Sequence, residues 1–169
     1  MKKITGSETE FQSQNMKRRG DMVEQVDLGR FSYKKVRKHV SQLSLSEKEE
    51  IRKKFKKVKY WEIIDHVNER IVQKEYKITT DDILNVMRNG EIVEYEQKLY
   101  VVDGKMSELL VLTTVREDEN GKSRLYLVFD ITDKKIVTVW INGYEDTHDT
   151  LDMGIYSKGL KVGENYWQE

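Results

Sequence analysis

Apolar residues follow two different periods along this chain, and the change between them falls at Asn89-Gly90. Before that point they recur every three to four positions, the spacing of one face of a helix. Phe31, Val36, Val40 and Leu43 predict a short amphipathic helix over 31–43. Ser46 followed by Glu49 is a capping-box pattern, so a helix is expected to begin there. It would carry Ile51, Phe55 and Val58 on one face, with Arg52, Lys53, Lys54, Lys56, Lys57 and Lys59 around the rest. Between Trp61 and Tyr76, residues Ile63, Ile64, Val67 and Ile71 fall within an arc of about 100° and predict another helix. Thr79 with Asp82, flanked by the Ile78–Ile83 hydrophobic staple, starts a further one. Gly90 is placed to end it by accepting left-handed geometry.

After Gly90 the period is about two. Segments 91–95, 99–102, 109–116, 124–130 and 135–141 read as strands, with Asn120-Gly121 and Asp133-Lys134 as hairpin turns between the last three. Leu125, Leu127 and Phe129 point one way, and Arg124, Tyr126, Val128 and Asp130 the other. In the next strand Val137, Val139 and Ile141 oppose Ile136, Thr138 and Trp140. The expected fold is therefore α+β, with N-terminal helices packed on one face of a four- to five-stranded, mainly antiparallel sheet. Its other face would present Arg124, Tyr126, Thr138 and Trp140. Residues 1–30 read as a mobile polar arm, 31–59 as a basic helical extension, and 60–169 as the domain with an acidic C-terminal tail.

Composition changes this picture through charge. The 30 basic and 30 acidic side chains cancel overall, yet residues 1–60 hold 17 basic and 8 acidic, and residues 61–169 hold 13 and 22. A basic segment on an acidic body binds polyanions or folds back on its own domain. RNA or another polyanion, engaging residues 34–59 and in particular Lys53, Lys56 and Lys57, is the expected partner, beside a cognate inhibitor or a host protein. With no cysteine there is no disulfide, thiolate nucleophile or cysteine zinc site. No signal-like or membrane-spanning apolar run occurs, so a soluble, cytoplasmic protein without membrane contact is expected. Nucleotide-binding glycine motifs and the HExxH and GxSxG signatures are also missing, which disfavours those chemistries. Glu145, Asp146, His148, Asp149 and Asp152 match no established metal loop and read as a solvated acidic stretch, so no metal or other cofactor is expected.

The candidate chemistry lies between Trp61 and Tyr95. His66 and Arg70 stand one helical turn apart beside the apolar arc, on the rim between core and solvent. Imidazole titrates near neutral pH and serves as base or acid, while guanidinium clamps phosphate with paired hydrogen bonds. His148 is a second candidate proton carrier, and Tyr126, Trp140 and Arg124 could hold a base or its backbone. Each has a structural alternative: His66 bonded to Asp65 or Glu69, Arg70 paired with Glu69 or Glu75, Thr138 simply a strand former.

The succession of a His-x3-Arg helix, a Lys77-Ile78 link, a capped helix ending Asn-Gly-Glu-Ile-Val, and the hairpin LYLVFDITDKKIVTVW resembles a family of small bacterial and phage domains of unknown function. That family is usually placed with the RelE-like and barnase-like ribonuclease toxin folds. The resemblance runs from about His66 to Trp140. It implies a small α+β ribonuclease-type scaffold with His66, Arg70 and Thr138 at active positions, and metal-independent cleavage of RNA. The acidity of the body favours an alternative, a non-catalytic protein that binds a host protein or nucleic-acid complex.

Overall fold

The computed structural model describes residues 14–18, 21–73, 77–145 and 152–168. Their organising element is one eight-stranded sheet, which overturns the expectation of four or five strands beneath N-terminal helices. In chain order the elements are β1 (Gln14–Arg18), β2 (Asp21–Val26), β3 (Tyr33–His39), α1 (Leu45–Lys57), β4 (Glu62–Ile63), α2 (Asp65–Val72), α3 (Thr80–Asn89), β5 (Glu91–Tyr100), β6 (Met106–Asp118), β7 (Gly121–Asp130) and β8 (Lys135–Gly143). The strands lie side by side as β1-β2-β3-β5-β6-β7-β8-β4. Every pairing is antiparallel except that of β4 with β8, so the sheet is mixed.

The largest correction concerns residues 14–39. Most of the segment expected to be a helix over 31–43 is strand β3, paired with β5 from Tyr33↔Tyr100 to His39↔Glu94. Its sequence satisfies both periods: Val36 and Lys38 alternate with Lys35 and Arg37 as well as a helical stripe would. The unpaired N–H and C=O groups along β5 decide the matter, since a strand satisfies them and a helix cannot. Part of the segment read as an arm is β1 and β2, which extend the same sheet.

The helices cover one face. Ile51 of α1, Val67 of α2, and Ile83 and Val86 of α3 pack with Val23, Val36, Tyr95, Leu110, Leu125, Leu127, Phe129, Ile136 and Val139 of the sheet. α1 begins two residues earlier than expected: Ser44, not Ser46, is the N-cap, and Glu47 completes the reciprocal pair. The helix expected from Trp61 to Tyr76 is divided. Glu62–Ile63 is extended against β8, and only Asp65–Val72 is helical. The Thr79–Asp82 box is present as expected. Gly90 ends α3 without left-handed geometry (φ −60°). Glycine is needed there for room, because a Cβ would meet the Val86 carbonyl oxygen at 2.3 Å.

Residues 152–168 run over the edge of β3 beyond β2 and complete the core with Leu160, Val162 and Tyr166. Asp21 accepts hydrogen bonds from the Lys158 and Gly159 amides at 2.8 and 2.9 Å. Gln97 donates to the Glu164 carbonyl and accepts from the Tyr166 amide at 3.0 Å. The Ser157 amide donates to the Arg37 carbonyl at 2.8 Å, taking the place of a further strand.

Candidate functional site

Two bulges shape the face opposite the helices. Ile92 points into the core, so strict alternation would send Glu94 and Glu96 there too. A register shift between Ile92 and Glu94 inserts Val93 as an extra residue. From that point Tyr95 and Gln97 face the core while Glu94, Glu96 and Lys98 face outward. A second shift, at Val128/Phe129 opposite 136–138, lets Ile136 and Val139 both point inward while Val137, Thr138 and Trp140 face out. Ile136 was expected on the outer face; the bulge is the reason it is not.

The outward face forms a groove of about 660 Å³. Its floor is apolar, from Leu109, Val111, Val128 and Val137, and Thr138 and Trp140 line one side. Across from them stand Tyr33, Lys35 and Arg37 of β3 and Glu94, Glu96, Lys98 and Tyr100 of β5. Both carboxylates are nearly removed from water, at 3% and 6% exposure. Burial pushes the Glu96 carboxyl above its ordinary range, and neighbouring Glu94 adds to the effect against the pull of Lys35. Two carboxylates side by side cannot both be ionised without cost, which acts in the same direction as burial.

Cations surround the pair. Lys35 Nζ lies 3.5 Å from Glu96 Oε1, and Arg37 Nη1 lies 4.0 Å from Glu94 Oε1. Arg37 is also hydrogen-bonded to Glu24 of β2. Burial opposes its charge, but Glu96, Glu94 and Glu24 together raise its pKa further above the ordinary value. Lys98 sits 3.8 Å from the centre of the Tyr33 ring, and burial followed by repulsion from Lys35 lowers its pKa. Three cations therefore face two carboxylates, which leaves the groove net positive even with both acids ionised.

The residues singled out from the sequence divide among several surfaces. Thr138 and Trp140 line the groove, and Tyr126 lies beneath Trp140 with rings 4.9 Å apart and 3° from parallel. Tyr126 is 1% exposed, so it supports the Trp140 ring and offers no free face of its own. Arg124 donates from Nε to the Tyr144 carbonyl at 3.3 Å, near the end of β8. Arg70 donates to the Val139 carbonyl at 2.9 Å, satisfying the edge of β8 past the end of β4. His66 is exposed on α2, and neither it nor Arg70 lines the groove. Lys53 and Lys56, with Glu49 and Arg52, line a shallow depression on the outer side of α1; Lys57 is exposed on the same helix, across the sheet from the groove. His148 lies outside the described residues. Sequence reading missed Glu94, Glu96, Lys35, Arg37 and Lys98, although the alternation of acids in 94–96 against bases in 35–37 was a signal that strands could pair there.

The sequence profile described as Domain of unknown function (DUF4258) matches residues 63–149, just over half of the chain. The chain belongs to the DUF4258 family. No curated protein and no solved structure matches it. The DUF4258 span contributes the carboxylates, Lys98, Thr138 and Trp140, whereas Lys35 and Arg37 come from a strand that precedes it. Among the described residues, no helix is long and apolar enough to cross a membrane.

Proposed function

We propose that the groove binds RNA and cleaves it by metal-independent general acid–base chemistry, with Glu94 and Glu96 as the proton carriers and Arg37, Lys35 and Lys98 as the phosphate clamp. The observation that carries this reading is a pair of buried carboxylates seated among three cations over an apolar floor. In the reaction, Glu94 takes the proton of a 2′-hydroxyl as that oxygen attacks phosphorus. Glu96 gives its own proton to the departing 5′-oxygen. The P–O5′ bond breaks, a 2′,3′-cyclic phosphate forms, and the pair again holds one proton. Arg37 and Lys35 balance the charge that builds on the phosphate oxygens, and the exposed side of Trp140 offers a platform for a base. The resemblance over 66–140 motivates the chemistry, which is assigned here to residues other than His66 and Arg70.

The test is incubation of the whole protein with labelled single-stranded RNA in the presence of a chelator. Products ending in a cyclic phosphate are expected, and Glu96→Gln should slow their formation by about 100-fold or more, as loss of a general acid does. A second reading, binding without cleavage, is favoured by the placement of His66 and Arg70 away from the groove. Under it RNA is retained intact, and retention weakens in Arg37→Ala. If RNA is neither cut nor bound, both readings fall.

A further inference from the structure

Beyond the span matched by the family, the C-terminal segment sends one group against the carboxylate pair. The Tyr156 hydroxyl donates to Glu94 Oε2 at 2.8 Å. Its position is imposed from several directions. Asp152 caps the turn Met153–Ile155 by accepting from the Gly154 amide at 2.8 Å. The next amide, of Ser157, is bonded to the Arg37 carbonyl. The Tyr156 ring meets the His39 ring edge-on, with centroids 5.2 Å apart.

We infer that Tyr156 is a positioning residue that divides the work of the pair, holding Glu94 as the anion and leaving the proton on Glu96. A phenol O–H donated to a carboxylate favours its ionised form. Arg37 on Oε1 acts in the same sense, so both oxygens of Glu94 face donors. The other charged or titratable groups around the pair are Glu24 of β2, which occupies Arg37, His39, opposite Glu94 on β3, Lys35 and Lys98 beside Glu96, and Tyr33 and Tyr100 along the groove. β6 presents Leu109 and Val111, which do not titrate. Glu96 has a cation in reach but no such hydroxyl, so the proton stays on Glu96.

This inference rests on reading the groove as an acid–base site, yet its test is separable from that reading. Carboxyl carbons of labelled glutamates are followed by NMR across pH in the full chain, with Glu94→Gln and Glu96→Gln to assign them. Glu94 is expected to ionise at lower pH than Glu96. In Tyr156→Phe the two titrations should draw together as that of Glu94 moves upward, and RNA cleavage at neutral pH should fall about tenfold, the usual weight of one hydrogen bond to a charged group. Tyr156→Met, which also fills the space without a hydroxyl, serves if the first variant does not fold. Unchanged separation of the two titrations in these variants would overturn the assignment. Absence of cleavage by the parent protein would overturn the nuclease reading while leaving the titration result to stand or fall alone.

Discussion

Glu96 bears the clearest pH signature. Its carboxyl is raised by burial, so the folded protein holds this proton where an unfolded chain has released it. Its contribution to stability is therefore complete below the ordinary carboxylate range and lost as pH rises through the raised value. That is the reverse of an acid stabilised as an anion. Glu96→Gln should melt at a higher temperature than the parent at pH 8, and the gain should vanish at low pH, as thermal unfolding across pH will reveal. Asp21 is a second decisive residue, since its carboxylate holds the Lys158 and Gly159 amides. A Cβ on residue 159 would lie 2.1 Å from Asp21 Oδ2. Gly159→Ala should accordingly cost roughly 1–3 kcal/mol, the penalty for buried partners left unbonded. A denaturant midpoint equal to the parent's would contradict that clamp.

Among the elements, β5 shows how one residue bears on a site. Deleting Val93 removes the bulge but leaves Glu94 next after core-facing Ile92 and still opposite Val111, so strict alternation then keeps Glu94 and Glu96 outward. The expected result is a folded chain that keeps the groove and loses only the Val93 side chain from the outer cluster, judged by circular dichroism and gel filtration. For comparison, Ser44→Ala removes a single N-cap of α1 and should cost about 1 kcal/mol with the fold intact. The element pattern was legible where local chemistry dominates. The Thr79 box, the strands at 109–116 and 124–130, and the apolar faces of α1 and α3 follow from sequence spacing alone. The length of β5 was not, because 96–98 is polar and gives no alternation; its polar residues are covered from both sides by other parts of the chain.

For the whole molecule, the described residues before Tyr60 are part of the scaffold. β3 occupies the edge of β5, and Ile51 and Phe55 of α1 close the core over Phe129. Removing residues 1–59 should leave that edge and core exposed and the remainder unable to fold, which hydrogen exchange or proteolysis will report. The basic stretch is likewise divided by the sheet. Lys35 and Arg37 face the groove, while Lys53, Lys56 and Lys57 stand on the helical side. A short RNA seated in the groove does not reach α1. Changing those three lysines to glutamine should leave the salt dependence of its binding unchanged, whereas Lys35→Gln should reduce the slope by roughly 0.7, the value for one lost contact to a single strand.

Although the expected strands 91–95 and 99–102 are one strand, β5, the sequence by itself determined α3 and the strands β6 to β8, the separation of charge, and membership of the DUF4258 family over 63–149. These depend on residues close along the chain, whose spacing and capping chemistry are written locally. The tertiary structure decided that β1–β3 join the sheet, that two bulges re-aim the acids and Thr138, and that a C-terminal segment delivers Tyr156 to Glu94. Each of these joins residues far apart in sequence. Only when the β5 edge must be satisfied and the core closed does one of several locally permitted conformations become the one adopted.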